Sequence, residues 1–184
     1  MINSPSPYGN LIADGSITPV KLSANIPQRI ATSTLAGAGN TFTFSGLTSS
    51  TDRFYKIFVF AEDAAAATGD IRIYVNGDTT STNYYSQKVN VSNNVLSGTR
   101  SNASIIGEIS ANKPHMMEIT ATRTVDGFFV AMGNNVMSQG AAVMIENLYV
   151  SKTNALVGEI TELSIVFAAG NVKAGSTAIL YMFP

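Results

Sequence analysis

With 184 residues the chain suffices for one folded unit plus an appendage, and its 11 basic and 12 acidic residues leave a net charge of -1. No Lys or Arg cluster is available to track a phosphate backbone, which argues against a nucleic-acid partner, and no apolar run approaches the roughly 18 residues of a membrane helix. Zero Cys excludes disulfides, thiolate metal sites and a cysteine nucleophile, while charged residues at 12% fall well below the roughly 25% of ordinary soluble domains. So charge-poor a surface has two explanations, a hydroxyl-rich β surface or one covered by sister subunits or a larger assembly.

Residues 1–27 hold four of the six prolines and read as an extended arm. Leu11, Ile12, Ile17, Val20, Leu22 and Ile26 recur through Ser, Asn, Gly and Pro at a spacing suited to intermittent anchoring on a partner, not to a helix. Pro19 and Pro27 hold the residue before each in β or polyproline geometry, which favours an extended run. The alternative for this segment is a disordered terminal tail. Its polar start lacks the basic and apolar regions of a signal peptide, so export by the general secretory route is not expected.

Residues 28–184 read as an all-β domain, with short runs of period two between Gly, Asn, Ser and Asp. Phe42 and Phe44 form the first run. In Arg53 to Phe60 the set Tyr55, Ile57, Val59 faces one way and Phe54, Phe58, Phe60 the other, which predicts a central strand buried on both faces. Ile71, Ile73 and Val75 alternate with Arg72 and Tyr74 and lead into Asn76-Gly77-Asp78, a hairpin or sharp loop whose first two residues tolerate positive φ. Further strands are predicted over 84–91, 104–110, 116–125, 128–132, 143–150, 160–167 and 178–183. Residues 63–69, 92–102 and 133–140 read as loops, the first with a helical turn as alternative. About ten strands without helical crossovers predict an antiparallel β-sandwich, and a jelly roll fits that count.

The chemistry-bearing residues are sparse. His115 is the only histidine, and beside Pro114 at the start of a strand it reads as an exposed or half-buried strand residue, since a nucleophilic triad needs an imidazole oriented by a carboxylate. Asp63, Asp70, Asn76 and Asp78 flank one strand and offer loop oxygens for calcium, but without EF-hand spacing they read as turn residues. Glu62 with Asp63, Glu159 with Glu162, and Glu108, Glu118 and Glu146 are the carboxylates from which a glycosidase pair would be drawn; the last three sit in apolar alternation and read as outward solubilising charges. Gly37-Ala38-Gly39 precedes a strand, not the helix a phosphate loop requires. Neither an enzyme nor a cofactor is expected. Tyr74, Tyr84 and Tyr85 surround the 76–83 loop and are candidate contacts for a glycan or a partner, with packing as the commoner role of such rings.

The segment from Ile12 to Leu22, Ile-Ala-Asp-Gly-Ser-Ile-Thr-Pro-Val-Lys-Leu, resembles the Asp-Gly-Ser-Ile/Val-Thr unit and following Lys-Leu step of tailed-bacteriophage tail fibres and related virion proteins. Ile71 to Asp78 followed by Asn83-Tyr84-Tyr85, and the ending from Gly175 to Tyr181, are similar to phage jelly-roll domains, which form trimers. The motif occurs once and no repetitive shaft follows, so the resemblance implies a capsid decoration or cement protein more than a whole fibre. Such a protein would be a homotrimeric head on the capsid exterior, bound through its arm to the major capsid protein or another virion protein. A tail-fibre tip or adaptor that binds host surface glycans is the alternative implied.

Overall fold

The computed structural model describes residues 26–47, 54–64, 68–92, 95–139 and 143–183. Of the expected arm only Ile26 and Pro27 fall among them, both exposed; Leu11, Ile12, Ile17, Val20 and Leu22 lie outside the described residues. Twelve strands are formed among the described residues: β1 (Gln28–Thr34), β2 (Thr41–Ser45), β3 (Phe54–Glu62), β4 (Gly69–Val75), β5 (Tyr84–Ser92), β6 (Val95–Ser101), β7 (Ile105–Ile109), β8 (Pro114–Arg123), β9 (Phe129–Gln139), β10 (Val143–Thr153), β11 (Glu162–Phe167) and β12 (Thr177–Phe183). They make two antiparallel sheets, one of eight strands in the order β1-β12-β3-β8-β9-β10-β5-β6 and one of four in the order β2-β11-β4-β7. The chain is an all-β antiparallel sandwich.

Alternation places the core between the sheets. Tyr55, Ile57 and Val59 of β3, Met117 and Ile119 of β8 and Leu180 of β12 point inward from the large sheet, against Phe42, Ile71, Ile73, Leu163, Ile165 and Phe167 from the small one. Phe42 meets Phe167 edge-on at 6.0 Å. Hairpin ladders between β8, β9 and β10 and the non-local ladder of β3 on β8 carry the large sheet, with no α-helix among the described residues.

Several expectations need correcting. β3 is buried on one face only, because the small sheet covers Tyr55, Ile57 and Val59 while Phe54 and Phe58 stay half-buried and Phe60 is 46% exposed on the far side. Residues 92–102 are not one long loop: β6 pairs with β5 from Ser101 opposite Ser86 to Val95 opposite Ser92. Residues 133–139 of the expected loop are the second half of β9, laddered to β10 and, as far as Met137, to β8, while residue 140 lies outside the described residues. β1 is a strand that the periodicity missed, since an edge strand paired to β12 alone needs little burial of its own.

The turn after β4 is sharp, with Asn76 at φ 53 and Gly77 at φ 73. It leads through a 3-10 turn at Ser81–Asn83 into β5 of the other sheet, so the loop crosses the sandwich and does not close a hairpin.

Candidate functional site

The 76–83 loop is held from inside. The Tyr84 hydroxyl accepts from the Val75 main-chain N–H at 3.2 Å and donates to the Asp78 carbonyl at 2.8 Å. Its ring meets Tyr74 edge-on at 5.7 Å, and both side chains are buried. Of the three candidate contact tyrosines, Tyr74 and Tyr84 pack the end of the sandwich, the commoner role of such rings, and only Tyr85, on the next residue and the opposite face of β5, is exposed. Burial pushes the Tyr84 phenol up to about 12. Asp78 is held below the usual carboxylate value by the Asn83 amide, which donates to it at 2.8 Å, with the Thr80 N–H adding a second bond.

The acidic residues do not converge. Asp63 is buried and accepts from the Asn112 N–H, Asp70 lies 3.5 Å from Arg72, and Asn76 binds the 159–162 segment. Glu62 pairs with Lys173, Glu118 with Lys56 at 2.6 Å, and Glu108 with Lys88 at 2.7 Å. Among the described residues no group of three or more His, Asp or Glu is placed to hold a metal ion. The Glu146 side chain lies outside the described residues. Glu108 is not simply a solubilising charge: it sits half-buried at the sandwich edge, where Lys88 also lies 5.6 Å over the Tyr149 ring.

His115 is buried, against expectation. Its Nε2 lies 2.9 Å from the Ser110 N–H, and burial lowers its pKa more than the facing Asp63 carboxylate raises it. The imidazole therefore closes the β7–β8 connection as a neutral acceptor.

What the structure brings together is a surface. On the outer face of the eight-stranded sheet, Phe60 of β3 stands opposite Met116 of β8, and Met132 of β9 stands opposite Val150 of β10. Phe60, Met116 and Met132 are each about half exposed, at 46%, 52% and 47%. Toward the β12 side, Phe54 stacks on Phe183 at 4.6 Å and Phe58 meets Tyr181 edge-on at 5.9 Å. The Lys56–Glu118 pair lies on this same face and neutralises itself.

At its far end the face turns polar. Tyr85 and Gln87 of β5, Arg100 of β6, Asn102 and Val150 line a shallow depression of about 540 Å³. The outer face of the small sheet is different in kind: Thr43 bonds Ser164 at 3.1 Å, Ser164 reaches Glu162, and Arg72 lies beside Asp70. The signal for this asymmetry is in the sequence. β3 is apolar at nearly every position, whereas β2 alternates Phe with Thr and Ser.

No family model matches the chain, and no curated protein matches it.

Proposed function

We propose that this chain is a non-enzymatic structural protein of a tailed-bacteriophage virion, a capsid decoration or cement protein. In this reading a trimeric β head sits on the capsid exterior and the N-terminal arm anchors it to the major capsid protein or another virion protein. The observation that carries the reading is the contrast between the two outer faces of the sandwich, one hydroxyl-rich and one apolar, as expected of a head built to be covered on one side. The fibre-like segment from Ile12 to Leu22 supplies the virion context and the arm supplies the tether. Mass action gives such a tether its effect, because a ligand that binds only the assembled shell stabilises it, and three arms on one head act at high effective concentration.

We read the head as a jelly roll with two inserted hairpins. Setting aside β5–β6 and β9–β10, the remaining strands form two four-stranded layers, β1-β12-β3-β8 and β2-β11-β4-β7, and each connection along the chain passes from one layer to the other except that from β4 to β7, which stays within the small sheet.

Cryo-microscopy of virions tests the proposal. Density for the chain on the capsid lattice is the expected result, and density confined to the tail would overturn it. Deleting residues 1–27 is expected to leave a folded head that no longer decorates capsids. A second reading, a tail-fibre tip or adaptor that binds host glycans, is favoured by the depression beside Tyr85, where an exposed ring adjoins amide and guanidinium donors. Binding to host surface polysaccharide that is lost in Tyr85→Ala would favour that reading.

A further inference from the structure

We infer that the apolar outer face of the eight-stranded sheet is the surface through which copies of this chain associate, with β3, β8 and β9 at its centre. This names the contact behind the oligomeric head proposed above and rests on that reading for its biological setting, but the argument for it is physical. A strand apolar on both faces belongs between two layers. The small sheet covers one face of β3, and Phe58 and Phe60 wait on the other.

The size of the patch suits a stable contact. Five strands from β12 to β10 at about 4.8 Å spacing, each about nine residues long at about 3.3 Å, span about 24 by 30 Å, or about 700 Å² for the whole face, in which Thr120, Thr122 and Asn134 stand among the apolar residues. A standard stable interface covers about 800 Å² on each partner. Aromatic rings and Met are the side chains that interface cores favour, and Phe58, Phe60, Met116 and Met132 supply them here.

Charge then selects the partner. At the middle of the face Lys56 and Glu118 neutralise each other at 2.6 Å, and at its rim Lys152 lies 3.9 Å over the Phe128 ring. The centre of the described face is thus without net charge, the positive Lys152 and Arg100 standing toward its β10–β6 end, and it offers nothing to attract an anionic membrane, nucleic acid or a strongly charged protein. A second copy carries the same internally neutral pair, so self-contact at the centre of the face brings no like-charge conflict. The chain's low charge content follows from the same arrangement, since a covered face needs no solubilising residues.

The absence of cysteine makes the test direct. Light scattering of the full chain should give a multiple of the 19.4 kDa chain mass, falling to that mass in the double variant Phe60→Lys, Met132→Lys, while Leu156→Lys on a distant exposed loop keeps the multiple. A single cysteine introduced by Met132→Cys should react with a maleimide on the order of tenfold more slowly than one introduced by Leu156→Cys, because the core of an interface excludes water. This second readout holds even if the double variant fails to fold. A wild-type chain that scatters as a monomer overturns the inference, as does an oligomer whose mass the double variant leaves unchanged. A monomer in which the Met132→Cys thiol is protected only until residues 1–25 are removed overturns it in favour of the chain's own arm. Protection that arises only with neutral lipid vesicles overturns it in favour of a membrane surface. Virion attachment is scored separately: an oligomer formed through this face that fails to decorate capsids removes the cement reading and leaves the interface standing.

Discussion

The Ile106 carbonyl oxygen of β7 comes so close to Gly133 of β9 that a Cβ at position 133 would stand 2.2 Å from it. Gly133 is buried where β7 of the small sheet presses on β9, and the obstacle is backbone, which cannot swing aside as the end of a long side chain can. Gly133→Ala must therefore move β7 or break its contacts, and overpacking of this kind costs about 1–3 kcal/mol. In a chain of this size about 1 kcal/mol shifts Tm by about 2–4 °C. A thermal melt should show Gly133→Ala lowered by several degrees, with Gly158→Ala, where a Cβ meets nothing within 4 Å, close to wild type.

Tyr84 joins the loop after β4 to the body through one oxygen with two duties, accepting from Val75 and donating to Asp78. Tyr84→Phe keeps the ring against Tyr74 but strands the buried Val75 N–H, at a cost of about 1–3 kcal/mol. Tyr85→Phe, on the exposed side of the same strand, should be neutral, and denaturant titration of the pair separates the two roles. The raised pKa adds a pH dependence. In the unfolded chain a tyrosine ionises near its ordinary value, about 10, so the neutral phenol favours the folded state below that pH. This stabilisation is lost as pH rises from about 10 toward about 12. Tyr149 is pushed up too, by burial first and then by the Glu108 charge, and acts in the same direction. Phenolate absorbance should show Tyr84 and Tyr149 ionising only on unfolding.

The inward-facing residues of β3, β4 and β11 were legible in the sequence because one apolar set repeats at period two, as in Ile71, Ile73 and Val75. β6 was not, since as an edge strand it needs no buried stripe, and Gly98 with Ser97 reads as loop chemistry. The second half of β9 was hidden for a different reason. Gly133 and Asn135 look like turn residues, yet the first is required by the close approach of β7 and the second donates its side-chain amide to the Glu108 carbonyl. Packing was the commoner role expected of Tyr74 and Tyr84, but the sequence could not separate them from the exposed Tyr85, because proximity to a loop in sequence says nothing of which side of it a ring lies on. The apolar outer face was legible as Phe54, Phe58 and Phe60, although its exposure in the single chain depends on which sheet covers which side.

His115 gives the acid side of the stability profile. Its pKa lies below the ordinary value of 6.5 in the folded chain, so the unfolded chain takes up the proton first. Stability from the neutral imidazole is complete above about 6.5 and is lost as pH falls below it. Protonation at Nε2 also removes the acceptor for the Ser110 N–H. His115→Gln retains a polar side chain without the titration. Its stability between pH 7 and 5 should fall less steeply than that of the wild type, as read from denaturant midpoints across that interval; equal slopes would assign the acid sensitivity elsewhere.

Asn76 and Asn112 share a φ of 53 and differ in what their side chains hold. The Asn76 Oδ1 accepts from the Thr161 N–H at 2.8 Å, the Thr161 hydroxyl at 3.1 Å and the Glu162 N–H at 3.2 Å, while its Nδ2 donates to the Glu159 carbonyl at 2.7 Å. It therefore fastens the chain entering β11 to the turn leaving β4. Asn112 turns the chain between β7 and β8, and its own N–H donates to Asp63. An L-residue without a side-chain bond pays about 1–2 kcal/mol in this backbone region, a cost that glycine escapes. Replacing Asn112 by Ala should thus cost about 1 kcal/mol and by Gly little or nothing. Replacing Asn76 by Gly removes the backbone cost but gives up its bonds to two main-chain donors that water can reach, so it should still lose about 1 kcal/mol, with Asn76→Ala lower again by about 1 kcal/mol. The order Gly above Ala at both sites, with a constant gap and an offset only at 76, is the pattern that separates φ from hydrogen bonding. Equal stability of Asn76→Gly and wild type would show that the bonds to Thr161 and Glu162 contribute nothing net.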